Sequence, residues 1–324
     1  MKKLSFKKTI SIMVAAIMLL GVVFVTAGFP SDAGGKKIIA LCIAQASNEF
    51  QSRIKDGMEK YISDNNLQNK YEFTFQDGNF DTATQLQQVE NMIAQGVDAI
   101  IMIAVDAKGS MASVLAANEA GIPIIGCNTE VDDISQLTAY AGSITVESGR
   151  IEMAALAELM GGKGKLVEMH GTYGHDPQIY RNQGIREVLA GYPDIKVIAE
   201  NTANWSRDEA VAVMENWLQS DIGKEITAVV AHNDAMAVGA MVALEDMGRK
   251  DVLIAGIDAN KDMLGYLKEG RVAVTVFQDA VGQGAVAVET AVKIVEGQPY
   301  EQYNWIPYVL VTPETADEYL ALYD

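Results

Sequence analysis

The sequence predicts an α/β protein built from two similar, doubly wound parallel-sheet halves. Three observations carry this expectation. The chain has 324 residues, and at roughly 150 residues per domain two domains are expected. Strand-like apolar runs alternate with amphipathic helical stretches of about 12 to 18 residues, the pattern of βαβ units on a parallel sheet. That rhythm loosens once, around residues 129–144, and then begins again, with no linker rich in Pro, Gly or Ser between the halves.

The first half opens with KKIIALCIA (36–44), a buried strand, followed by a helix on which Phe50, Ile54, Met58 and Tyr61 recur on one face. YEFTFQDG (71–78) alternates as a strand does; Asp81 then caps a helix that Gly96 ends. VDAIIMIAVD (97–106) is the next buried strand, residues 109–120 form a helix stopped by Gly121, and IPIIGCN (122–128) closes the series. In the second half, helix 145–160 leads to KLVEMHG, helix 178–190 to IKVIAEN, helix 206–220 to ITAVVAHND, and helix 235–247 to DVLIAGIDAN. A short helix at 261–268, the strand VAVTVFQD (272–279) and a long helix over 281–296 complete the pattern.

Composition bounds the partners. At 49% apolar and 21% charged residues the chain has the balance of a globular protein. Its formal charge of −18 speaks against nucleic acid, whose phosphate backbone needs clustered Lys and Arg. The exception is the amino end, where Lys2, Lys3, Lys7 and Lys8 precede an apolar run from Ile10 to Val25 that ends in small residues. That is the layout of a secretory signal over residues 1–33, cut after Ala27 or after Ala33. Its removal takes four Lys and one Asp and leaves 21 basic and 42 acidic residues, a charge of −21. The other reading is a retained membrane anchor, although the run is short of the ~20 apolar residues that span a bilayer. No Cys near the cut favours a lipid anchor. Cys42 and Cys127 fall inside strands; an exported protein could oxidise them, but two buried free thiols are the expectation.

In open α/β sheets a ligand lies beyond the carboxyl ends of the strands. Those positions hold Asn48 and Phe50, Asp77 and Asn79, Asp106, Asn128 and Thr129, then Asn204 and Trp205, Asn233 and Asp234, Asp258 and Gln278. Amides and carboxylates can engage neighbouring hydroxyls in pairs, and an aromatic face covers the C–H side of a sugar ring. Asn and Asp also form turns and helix caps, and that plainer role is the expectation for Asp77, Asp106 and Asp234.

The order of these features, over about residues 39–312, resembles the periplasmic sugar-binding proteins of the ribose-binding type, the solute receptors of ABC transporters. IALCIAQASNEFQSRIKDGMEK is similar to the family's first strand, Asn-x-Phe loop and Lys-Asp-Gly helix; AHNDAMAVGAMVAL and VLIAGIDAN are similar to its later segments. The resemblance implies a type I periplasmic binding fold, related to the sensor core of sugar-responsive repressors, with the ligand in an interdomain cleft. It implies crossovers near Gly142, Asp279 and Pro307, an N-terminal domain of 36–142 plus 279–307, and a C-terminal domain of 143–278 plus 308–324. The ligand set it implies is Asn48, Phe50, Asn128, Arg181, Trp205, Asn233, Asp258 and Gln278, with Gln51, Thr129 and His175 as further candidates. Arg181, in YRNQG, comes from the resemblance alone. Its guanidinium offers five donors in a fixed fork where a carboxylate offers only acceptors, and a set of hydroxyls needs both.

Two departures bear on the ligand. Gln51 stands where many members carry a second aromatic, and Asn128-Thr129 where the ribose-type pattern has Asp-Arg. Ribose is thereby disfavoured, while a hexopyranose, another pentose, or a polyol such as inositol fits at least as well. The expectation is a periplasmic monomer that captures a neutral monosaccharide or polyol by domain closure and delivers it to an ABC permease, with no catalytic residue, cofactor or metal. A receptor feeding a chemotaxis or sensor-kinase pathway would share this sequence pattern. A sugar-responsive repressor would carry a DNA-reading helix-turn-helix at the amino end, where this chain has the signal segment. An enzyme is the weaker reading. Gly282–Ala287 matches G-x-G-x-x-A but lacks a following βαβ unit, and G-x-S-x-G and P-loop motifs are absent. His170, His175 and His232 have neither an H-E-x-x-H spacing nor Cys partners, so zinc is not expected. A carboxylate pair for glycoside cleavage is a property of the fold and stays open at this level.

Overall fold

The computed structural model describes residues 35–323. The expected signal segment, residues 1–33, lies outside the described residues. Among those described, no helix is long and apolar enough to cross a membrane.

The first half runs β1 (Lys37–Ile43), α1 (Glu49–Asp64), β2 (Tyr71–Asp77), α2 (Thr82–Gln95), β3 (Ala99–Met102), α3 (Met111–Glu119), β4 (Ile124–Cys127) and β5 (Ala139–Gly142). The second runs α4 (Thr145–Leu159), β6 (Lys163–His170), α5 (Asp176–Leu189), β7 (Asp194–Thr202), α6 (Arg207–Gln219), β8 (Ala228–Ala231), α7 (Asp234–Asp246), β9 (Leu253–Asp258), α8 (Lys261–Lys268) and β10 (Val274–Phe277). Then come α9 (Ala280–Val295), β11 (Tyr303–Trp305), β12 (Val309–Val311) and α10 (Ala316–Leu320).

The strands form two six-stranded sheets, ordered β11-β5-β4-β3-β1-β2 and β12-β10-β9-β8-β6-β7. Every pairing is parallel except that of β12 with β10. The strand order is the same in both, with a reversal between β1 and β3 and again between β6 and β8. These reversals are the points where loops diverge and leave a crevice at the carboxyl edge. The chain passes from the first sheet to the second after β5, returns after β10 and passes again between β11 and β12. The fold is thus α/β with two doubly wound domains.

Local chemistry accounts for the element ends. Asp81 caps α2 by accepting from the Thr84 amide at 2.6 Å, and Gly96 ends it at φ 70°, a conformation a Cβ would disfavour. The G-x-G-x-x-A stretch is a packing seam. A Cβ on Gly284 would stand 2.2 Å from Ile54 O, so α9 lies directly on α1 and small residues are required there. The inner strands β3, β4, β8 and β10 are buried along their whole length because both sheet faces are covered there by helices, whereas the edge strands β2 and β7 alternate. Cys42 and Cys127 sit on β1 and β4 with β3 between them; both are buried and free, and burial pushes each thiol up to about 12.

Candidate functional site

At the carboxyl edges of the two sheets, loops from both enclose a cavity lined by sixteen residues, with about 80 Å³ open to the centres of water molecules. A buried water needs roughly 10–15 Å³ on that measure, so the space suits a small solute of several heavy atoms. Asn48, Phe50, Asn128, Arg181, Trp205, Asn233, Asp258 and Gln278 all line it, as do Gln51, Thr129 and His175. Gln45, Phe80, Ala104, Val105 and Pro177 complete the lining and are not in the sequence-derived set. Phe80 is the substantial omission. Its signal is an aromatic directly after the Asp77-Gly78-Asn79 turn at a strand end, where only the polar residues attracted notice.

The backbone at this edge is unusual. Among the described residues, every non-glycine residue with a left-handed φ except Asn66 follows or ends a strand here. Phe80, Asn128, Trp205 and Asp258 have φ of 59°, 64°, 65° and 132°. Such conformations are disfavoured for bulky side chains and persist where surrounding structure fixes them, which happens most often at functional sites.

From the first sheet, Asn48 follows β1 and caps α1, its Oδ1 accepting from the Gln51 amide at 3.1 Å. Asn128 follows β4 and donates from Nδ2 to Gln283 Oε1 at 2.9 Å, while Gln283 donates to Ser143 Oγ at 2.9 Å. From the second sheet, Asn233 caps α7 through the Met236 amide at 3.0 Å. The capping role expected of such residues is therefore real at Asn48 and Asn233, and both still face the cavity. Asp77, Asp106 and Asp234 do not line it. Asp77 and Asp106 accept from turn amides, and Asp234 is buried between Thr275 Oγ1 at 2.7 Å and the Asn260 amide at 2.8 Å.

The charged part of the lining is concentrated on the second sheet. Arg181, on α5, is buried; it donates to His232 O and, at 2.9 Å, to Gln278 Oε1, while its Nε has no partner. Burial pushes the Asp258 carboxyl well above the ordinary range, and Arg181 opposes that shift. Behind Arg181 lies Glu152, fully buried with neither carboxylate oxygen hydrogen-bonded; burial again raises it and Arg181 again pulls it down. Asp176 is raised to about 7 by burial first and then by Glu130. One guanidinium thus stands among three buried acids.

Trp205 forms an aromatic wall. Its Nε1 donates to His175 Nδ1 at 3.1 Å, the two rings stack at 6.3 Å, and Arg181 Cζ lies 5.7 Å from the indole centre. A Cβ on Gly171 would fall 2.0 Å from the indole, so glycine there lets the ring lie against the backbone. His175 is half-buried rather than a solvated loop residue. Phe80 packs edge-on against it at 4.6 Å, and burial keeps its imidazole pKa low.

The comparisons agree with this geometry. A family profile described as a periplasmic binding protein domain matches residues 39–299. The chain belongs to that family, as one of the ribose-binding-protein-like solute-binding proteins of ABC transporters, which carry out no chemistry. It is 37% identical to a xylitol-binding protein of Mycolicibacterium smegmatis, over 89% of this chain and 80% of that one. It is 30% identical to the ribose import binding protein of Bacillus subtilis, over 87% of this chain and 90% of the other. Among solved structures, an ABC transporter solute-binding protein from Bacillus halodurans with bound myo-inositol is 41% identical, with a TM-score of 0.84 over 89% of this chain and 98% of that one.

Proposed function

We propose that the protein captures a neutral polyol or monosaccharide, with a cyclitol such as myo-inositol or a pentitol as the leading ligand class, and hands it to an ABC permease. The observation that carries this reading is the lining itself. One guanidinium and one carboxylate, Arg181 and Asp258, share a cavity otherwise walled by amides, aromatics and small apolar groups. Arg181 is the one guanidinium or ammonium in that lining and stands beside an acid, whereas a phosphate or a dicarboxylate calls for several cations. Donor fork, acceptor carboxylate and amides match the paired donors and acceptors of a polyol, and Trp205 and the two phenyl rings match its C–H faces. The similar xylitol-binding protein and the similar structure with bound myo-inositol support the same class.

In this reading Asn48, Phe50, Gln51, Phe80, Asn128 and Thr129 contact the ligand from one domain, and His175, Arg181, Trp205, Asn233, Asp258 and Gln278 from the other. The moving bodies are 36–142 plus 279–307 and 143–278 plus 308–324, hinged where the chain passes between sheets. A ligand that touches both bodies stabilises the closed arrangement over the open one, so closure is a population shift without chemistry. The protein works as an exported monomer, freed of residues 1–33, in the periplasm or its equivalent.

The test is thermal denaturation with myo-inositol, xylitol, ribose, D-allose, glycerol, an amino acid and a nucleotide. A ligand bound only by the folded state raises the midpoint, by about 2.7 kcal/mol of stability at a hundred times its Kd. A shift with a neutral polyhydroxylated compound supports the reading. A shift with only the amino acid or the nucleotide overturns it.

A further inference from the structure

Beneath the second-sheet wall lies a cluster that solute capture leaves unused. Glu168 and His170 are two residues apart on β6, so their side chains leave the same face of the sheet. Parallel register sets Glu200 of β7 beside Glu168, and His232, immediately after β8, reaches the same place from the other side. Glu168, His170 and His232 are all buried, and their ligand-capable atoms lie within 4.8 Å of one another.

We infer that Glu168, His170, Glu200 and His232 form a binding site for a zinc-type divalent cation, a site distinct from the solute cavity. Three donors, from Glu168, His170 and His232, already converge, and Glu200 stands within reach of His170. Bonds of about 2.0–2.2 Å place tetrahedral donors about 3.3 Å apart. His232 Nε2 is 3.0 Å from Glu168 Oε1, His170 Nε2 is 3.8 Å from the same oxygen, and His170 Nε2 is 3.7 Å from Glu200 Oε2. Two imidazoles and two carboxylates are the donor types zinc takes. Access exists, because an open depression lined by His170, Gln178, Arg186 and Glu200 leads from the surface to the cluster.

A cation already stands beside these carboxylates. Arg186 reaches Glu168 Oε2 at 2.8 Å and also contacts Glu200. Its side chain is 39% exposed, so it can swing into solvent when a metal takes over the carboxylates. The absence of H-E-x-x-H or Cys partners excluded only sites built on one helix or one loop; here three neighbouring strands supply the donors.

The test is competition for Zn²⁺ between the chelator-stripped protein and a chromophoric chelator near neutral pH, with no sugar or polyol present. One zinc per chain is expected. Glu200→Gln, on the solvent side where folding is not at stake, should weaken it at least tenfold. His170→Gln should weaken it more, and Arg186→Gln, which removes the competing cation, should tighten it several-fold. Less than about a tenth of a zinc per chain in both the wild-type protein and Arg186→Gln overturns the inference, as does zinc binding that Glu200→Gln and His170→Gln leave unchanged.

Discussion

The two walls of the cavity are built differently. The first-sheet wall is neutral and mostly half-buried: Asn48, Phe50, Gln51 and Phe80 project from loops and a helix start. The second-sheet wall is buried and charged: Arg181, Asn233, Asp258 and Gln278 are each less than a tenth exposed, with Glu152 and Asp176 behind them. Burying charge is costly unless it is paired, so the second wall carries electrostatic energy that the first does not. Its groups are fixed before a ligand arrives, whereas the first wall completes the enclosure. Substitutions in the second wall should therefore disturb folding and binding together, and those in the first should act mainly on binding.

The strongest test of that contrast is Arg181→Met. It leaves Asp258 and Glu152 buried without their cation, and breaking such a set costs about 3–5 kcal/mol. Urea denaturation should show that loss, and affinity for whichever polyol raises the wild-type midpoint should fall at least a hundredfold, about 2.7 kcal/mol. Unchanged stability would mean that the second wall is not the tense one.

Asp176 gives the contrast a pH dependence. Its carboxyl titrates at about 7 in the folded protein against an ordinary 3.8. Between those values the folded state keeps a proton that the unfolded chain has released, so stability from this group is complete below about pH 4 and is lost as pH rises to 7. Each pH unit of the shift is worth about 1.4 kcal/mol, for a total on the order of 4 kcal/mol. Asp176→Asn should flatten the decline of the thermal midpoint over that window relative to wild type; parallel profiles would contradict the assignment.

Gly171→Ala probes the aromatic part of the same wall. The new Cβ would meet the Trp205 indole at 2.0 Å, and overpacking of this kind costs about 2 kcal/mol. Trp205 should move, altering tryptophan fluorescence and weakening the ligand response about tenfold, about 1.4 kcal/mol. The smallest effect belongs to the first wall. Asn48→Ala removes a helix cap worth about 1 kcal/mol and should lower affinity less than tenfold by calorimetry. A hundredfold loss there would erase the distinction between the walls.

Much of this was legible in the chain. Helix starts and stops such as Asp81 and Gly96 act locally, and long buried runs such as VDAIIMIAVD announce strands wherever they fall. The same runs located the cavity, because parallel sheets bind at strand ends and the residues at those ends can be read directly. Short elements escaped. Ala139–Gly142 lies in the stretch read as loose, and Tyr303–Trp305 and Val309–Val311 were not anticipated as strands. Three or four residues are too few for a period to show, and these strands exist through pairing with partners far along the chain. Phe80 escaped for a related reason: its place in the cavity depends on a left-handed backbone and on His175 across the cleft.

The sequence by itself determined the alternation of strands and helices, the doubled architecture and the identity of most cavity-facing side chains, all of which follow from local pattern and polarity. Tertiary structure alone decided what those side chains meet. That Arg181 stands among Glu152, Asp176 and Asp258, and that Glu168, His170, Glu200 and His232 converge across three strands, depends on sheet order and register. Electrostatic coupling acts over a few ångströms of space, and residues that close can be dozens of positions apart in the chain.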